Sequence, residues 1–297
     1  MTLTIYNDIS IVQLAFFIPS LLVAGTLSYR HGFKRSAGWI YLVILSLMRI
    51  IGAGMELGTI SSPDNANLAI GAQTLQNVGL SPLILVLLGL VTRSYLAMSE
   101  GSRPSLPNAR ILRLLQLLVV VGLILSIVGG VNMGNEVGDE IANGSTISYS
   151  ISTESKVGIA LMIVGYALLV LSAIALVTRL SALPNGEKRL LLAVFAALPF
   201  VFVRLLYSIL SAFDSSNPNF RQYGGSSSAG YYVLGMCTIM EIITVLIFEV
   251  VGLTLPYVPH NERGSLFNPT RRVHNLDVNG QPLTEYPPNK LQQNQSV

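Results

Sequence analysis

Five ionisable side chains stand inside otherwise apolar runs: Arg49 and Glu56 in LMRIIGAGMEL, Arg204 in FVFVRLLYSIL, and Glu241 and Glu249 in MEIITVLIFEV. A charge at the centre of an apolar span costs about 2.5–3.5 kcal/mol even on the lenient insertion scale. Each of these groups therefore has to meet an opposite charge, face water or take part in chemistry. A carboxylic acid in apolar surroundings stays protonated until it meets a base, and can hand its proton to an olefin or an epoxide. A water-poor pocket around it lets the resulting cation close a ring before water traps it. Glu56 and Glu241 are the candidate acid and base, with Arg49 and Arg204 tuning them. Aromatic faces at Tyr207, Tyr231 and Tyr232 could stabilise a cation. The bland alternative is that the same charges are glue between helices.

Spacing limits the pairings. Arg49 and Glu56 are seven residues apart, two helical turns or about 10 Å along an axis, so they share a face without bridging. Depth along the spans matches Arg49 with Glu241 and Arg204 with Glu56. Glu249 lies near the other end of its span, where a carboxylate can snorkel to the surface. Two polar stripes accompany the charges. Gln73, Gln76, Asn77 and Ser81 fall at i, i+3, i+4 and i+8, with Pro82 predicting a kink just after them. Arg204, Tyr207, Ser208 and Ser211 fall at i, i+3, i+4 and i+7. A polar stripe in lipid has to face protein or a wet cavity. Gln73, Gln76, Asn77, Ser81 and Ser208 are therefore expected to line one cavity among spans 2, 3, 6 and 7. Gly54 and Gly58 form a GxxxG spacing that permits close helix approach.

The elements that position these residues follow from composition. Of 297 residues, 51% are hydrophobic and 11% charged, and the mean hydropathy is +0.59. Soluble domains carry roughly 25% charged residues, so this chain has more apolar surface than one water-soluble core can hide. Seven runs are long enough to cross a hydrocarbon core as helices: Ile9–Tyr29, Trp39–Ile60, Leu68–Val91, Ile111–Val131, Val157–Val177, Leu190–Ala212 and Tyr231–Leu253. They far exceed strand length, which favours an all-α bundle over a barrel. The expected organisation is a seven-helix transmembrane domain over 1–253 and a disordered cytosolic tail over 254–297, rich in Pro, Asn and Gln. The first apolar run lacks a basic leading segment and reads as a retained helix. There is no internal repeat, and Cys237 is the single cysteine, so no internal disulfide can form.

Fourteen of the 18 basic residues fall in loops 30–38, 92–113 and 178–189 and in the tail. By the positive-inside rule this puts the C-terminus in the cytosol and the N-terminus in the lumen or outside. The same asymmetry accounts for the pI near 9.0, so the basic balance gives no reason to expect nucleic acid. Asn143-Gly144-Ser145 is an N-glycosylation acceptor on the lumenal side. The sequon at Asn294 would lie in the cytosol and stay unmodified.

The segments YRHGFKRSAGWIYLVILSLMRIIGAGMEL (29–57), NVGLSPLIL (77–85), ALPFVFVRLLYSIL (197–210) and MEIITVLIFEVVGL (240–253) resemble a fungal seven-span integral membrane family of largely unknown function. That family is similar to small membrane-bound terpene cyclases of meroterpenoid clusters. The resemblance covers most of residues 9–253, and its motifs fall on Arg49, Glu56, Arg204, Tyr207 and Glu241. It implies a proton-initiated cyclase acting on a prenylated, lipophilic isoprenoid precursor in an endomembrane such as the endoplasmic reticulum. No cofactor is expected. Without an intramembrane aspartate cluster to hold magnesium and diphosphate, ionisation of a diphosphate is not the expected start of the reaction. The oligomeric state is open.

The alternative is a divergent seven-span receptor or a lipid or metabolite transporter. No lysine lies within a span, as an opsin would need. VTRSYL at the end of span 3 lacks the acidic-Arg-aromatic triplet of common receptors, and span 7 lacks Asn-Pro-x-x-Tyr. The topology is directly testable. A tag placed after residue 297 should be removed by protease added outside sealed microsomes, and Asn143 should be the one glycan acceptor. A protected tag would reverse the orientation.

Overall fold

In the computed structural model, residues 4–31, 37–62, 65–99, 109–142, 151–178, 185–214, 217–220 and 228–255 are described. Among them there are helices and no strand. Helix α1 spans Ile5–His31, α2 Ala37–Ser61, α3 Ala66–Val78, α4 Leu80–Ser99, α5 Ala109–Ala142, α6 Thr153–Val177 and α7 Asn185–Phe213. A 3₁₀ turn at Pro218–Phe220 precedes the last span, which is built from α8 (Ala229–Tyr232), a π-helical stretch (Val233–Ile239) and α9 (Met240–Thr254). Among the described residues, seven helical segments are long and apolar enough to cross a membrane: Ile5–His31, Gly38–Ser61, Leu68–Tyr95, Ile111–Met133, Thr153–Val177, Gly186–Phe213 and Ala229–Thr254. These match the seven expected runs to within a few residues at most ends. Asn143 and the tail from residue 256 lie outside the described residues.

The third span is the axis of the bundle. Over its apolar window 78% of residues are buried, against 22% for α5 and 28% for α6, so α5 and α6 are peripheral. Helix α4 packs against α2, α5, α6 and α7, while α1 and α9 close the remaining side against α2 and α7. The buried core reflects this order: Leu83, Ile84, Val86, Leu87 and Leu90 of α4 meet Leu42 and Leu45 of α2 and Val194 and Val201 of α7. Helix α5 runs 34 residues, about 51 Å at 1.5 Å per residue. It continues well past its apolar window, so much of the loop expected over 132–156 is helical. Helix α6 then starts at a cap: Ser152 Oγ accepts from the Ser155 amide and donates to the Gly129 carbonyl of α5.

The third span is broken between Val78 and Leu80, slightly ahead of the expected kink. Pro82 has no N–H for the Val78 carbonyl four residues back, and its ring crowds that carbonyl. The break therefore falls one turn before the proline. Gly79, between α3 and α4, keeps right-handed dihedrals (φ −55°, ψ −19°), so it is present for space and not for turning. A Cβ there would overlap the Arg49 guanidinium.

The GxxxG spacing does not make the closest helix approach. Gly54 faces open space and Gly58 makes only ordinary contact with Leu68. The tight crossing is between α5 and α6, where a Cβ on Gly158 would stand 2.8 Å from the Gly122 carbonyl. The four-residue spacing of Gly54 and Gly58 permits close packing without showing which glycines make it.

Candidate functional site: a charged knot and two cavities

Where α3 ends, four helices bring charge together. Glu241, in the first turn of α9, accepts on Oε1 from Arg49 Nη2 of α2 and from Arg204 Nε of α7, the latter at 2.9 Å. All three side chains are 0–1% exposed. The pairing of Arg49 with Glu241 is the one that depth had matched. The pairing of Arg204 with Glu56 is replaced: Arg204 turns to the same Glu241 oxygen that Arg49 uses.

Two cations on one carboxylate leave an excess of positive charge, and α3 offsets it. The last four carbonyls of a helix lack intrahelical partners, and the aligned peptides place roughly half a negative charge there. Arg49 Nη1 donates to the Gln76 carbonyl at 3.2 Å and to Gln76 Oε1 at 2.8 Å. Arg204 Nη2 donates to the carbonyls of Gln76 and Asn77 at 3.0 and 3.4 Å, and Nη1 donates to Ser208 Oγ at 2.8 Å. The Gln13 side-chain amide of α1 adds bonds to Gln76 Oε1 and Thr238 Oγ1. Arg204 also stands 5.9 Å from the Tyr207 ring centroid. Among the described residues, Glu241 Oε2 and Arg49 Nε have no hydrogen-bond partner.

Glu56 lies apart from this knot. It lines a cavity of about 20 Å³ with Tyr6, Ile9, Ser10, Gly52, Ala72, Gln76 and Val233. Helices α1, α2 and α3 and the π-helical stretch thus form its walls, with Gln76 the shared residue between cavity and knot. On the other side of α3, a cavity of about 60 Å³ includes Gln73, Asn77, Ser208 and Ser211 in its lining. The single polar cavity expected from the two stripes is therefore two cavities separated by α3. The stripe on α3 is divided: Gln76 faces one cavity, Gln73 and Asn77 face the other. Ser81 reaches neither, being fully buried and donating to Met162 Sδ at 3.3 Å.

Three other expectations change. Glu249 does not snorkel: it is 7% exposed and accepts from Ser20 Oγ of α1 at 2.6 Å. Tyr231 points outward at 67% exposure, away from any cation. Tyr232 stacks at an angle with Phe220, 5.3 Å away. Of the aromatic candidates Tyr207 alone is in the interior, and its ring already serves Arg204. The residues that sequence reasoning missed are Gln13, Thr238 and Gly79. The first two are uncharged polar groups on other spans whose facing cannot be read without the bundle. Among the described residues no group of three His, Cys, Asp or Glu is placed to hold a metal ion.

Seven apolar helices closed around a buried charged knot define a polytopic helical membrane protein. The chain belongs to the family described as a domain of unknown function (DUF7702), which matches residues 3–258. No curated protein and no solved structure matches it.

The knot orders the effects of losing its members. Arg49→Leu leaves Arg204 and Glu241 as a one-to-one pair. Glu241→Leu leaves two guanidinium groups facing each other with only neutral partners, the helix carbonyls, Gln76 Oε1 and Ser208 Oγ. Stranding a buried charge costs roughly 3–5 kcal/mol. Glu241→Leu should thus lose the most, and Arg49→Leu distinctly less, in the apparent Tm of detergent-solubilised protein. Equal losses would show that Arg204 does not share the carboxylate.

Proposed function

We propose that the chain is a membrane-bound terpene cyclase that starts its reaction by protonation. The observation that carries this reading is Glu56, a carboxyl at the wall of a small cavity whose other lining residues, Tyr6, Ile9, Ser10, Gly52, Ala72, Gln76 and Val233, carry no charge. Its neighbour across the cavity is a π-helical stretch, a feature frequent at functional sites. The resemblance to cyclases of fungal meroterpenoid clusters supports the same reading, as does a bilayer setting for a substrate with a prenyl chain.

In this mechanism the Glu56 carboxyl gives its proton to an epoxide oxygen, breaking a C–O bond, or to an olefin carbon. The π electrons of the next double bond close the ring and move the cation along the chain. Loss of a proton from the final cation to the Glu56 carboxylate forms the product double bond and restores the acid. Substrate and product are isomers, so the cycle balances without a co-reactant. Glu241 is not the acid in this scheme, because two guanidinium groups already engage it. Its part, with Arg49 and Arg204, is to fix Gln76 and so one wall of the Glu56 cavity. At about 20 Å³ that cavity has room for about one water. A prenyl chain is admitted only if the π-helical stretch moves away from α1 and α2.

The receptor or transporter reading draws on the knot itself, which ties α2, α3, α7 and α9 at the middle of the bundle and could serve as a conformational lock. Product formation separates the two. Glu56→Gln keeps shape and hydrogen bonding but has no acidic proton. In a host supplying a prenylated or epoxidised precursor, it should lower product per folded protein by about 10²–10⁴-fold, the usual scale of general acid catalysis. Normal turnover by well-folded Glu56→Gln would remove Glu56 as the donor.

A further inference from the structure

The larger cavity takes no part in that mechanism. It lies between α3, α5, α6 and α7 at the end of the bundle that carries the N-terminus, and its volume of about 60 Å³ is enough for about four water molecules. Its polar lining includes Gln73, Thr74, Asn77, Ser126, Ser155 and Ser211, and no residue of the lining is ionisable. Asn77 is exposed although it lies well inside the Leu68–Tyr95 span, because it faces this space. Ser126 Oγ is buried at the wall against Gly158 and has no partner among the described residues. Such a group costs free energy that a hydrogen bond from a ligand would recover.

The chemistry of the walls selects the ligand. An ion would meet only dipoles here, in surroundings where an unpaired charge is expensive. Arg204 meets the lining only at Ser208 Oγ and the Asn77 carbonyl, and Glu241 already engages it. Hydroxyls and carboxamides both donate and accept, and the smallest neutral ligand group that uses both at once on a hydrocarbon chain is a hydroxyl. Met133, Ile159 and Met162 complete the wall with flexible, apolar surface suited to a hydrocarbon chain. We propose that this cavity binds the hydroxyl end of a neutral amphiphile, of which a long-chain alcohol is the simplest case. Helix α3 separates it from Glu56, so the proposal stands whether or not the protein is a cyclase.

The test uses the full chain in lipid nanodiscs and three photoreactive probes of equal length: a long-chain alcohol, the matching carboxylic acid and the matching alkane. The alcohol should label α3, α5, α6 or α7 saturably, at least tenfold above the other two, and unlabelled alcohol should compete. Asn77→Leu and Ser211→Leu should each reduce the labelling at least tenfold. Ser126→Ala guards against a folding artefact. It removes an unpartnered hydroxyl, so thermal stability should hold or rise while labelling falls. Equal labelling by alcohol and alkane, preferential labelling by the acid, or labelling that persists in Ser126→Ala would overturn the proposal and leave a cavity that holds water only.

Discussion

One carboxylate oxygen holds this bundle together at its centre. Glu241 Oε1 accepts from guanidinium groups on α2 and α7, and both guanidinium groups then reach the carbonyl end of α3. Four helices are thereby fixed at one point in a medium where no water replaces a lost partner. The geometry depends on a short defect in the central span. Pro82 ends α3 early, the ending leaves carbonyls for the arginines, and the absent side chain of Gly79 leaves room for Arg49. A continuous helix over 66–99 would consume those carbonyls internally and leave two buried cations sharing a single anion.

The same defect divides the polar interior. Because α3 carries polar groups on both flanks, Gln76 faces α1, α2 and the π-helical stretch, while Gln73 and Asn77 face α5, α6 and α7. A carboxyl is available on one side and only hydroxyls and carboxamides on the other. Acid chemistry and neutral hydrogen bonding are kept apart by one helix, and the knot at its end holds both walls in register through Gln76, Asn77 and Ser208.

Much of this was legible in the sequence. Hydropathy located all seven spans, because length and apolar content alone decide whether a helix can cross a bilayer. Depth along the spans paired Arg49 with Glu241. Depth says nothing about direction around an axis, however, which is why Arg204 was matched with Glu56 and one cavity was expected in place of two. Glu249 near a span end suits snorkelling until Ser20, on the far end of the chain, is seen to reach it. The glycine pair at 54 and 58 has the right spacing on a face where only Gly58 meets a neighbour, the side chain of Leu68. The π-helical stretch over Val233–Ile239 has no composition that separates it from an ordinary apolar helix.

The shared carboxylate is tested most directly by a double-mutant cycle on Arg49→Gln and Arg204→Gln, read as unfolding free energy in detergent. If both arginines neutralise Glu241, either one alone suffices, and each single change leaves the carboxylate paired. Losing both leaves it buried and bare. The double variant should then be less stable than the sum of the singles by about 0.5–3 kcal/mol, the range for residues in one network. Losses that simply add would contradict the shared carboxylate and with it the account of how the four helices are joined.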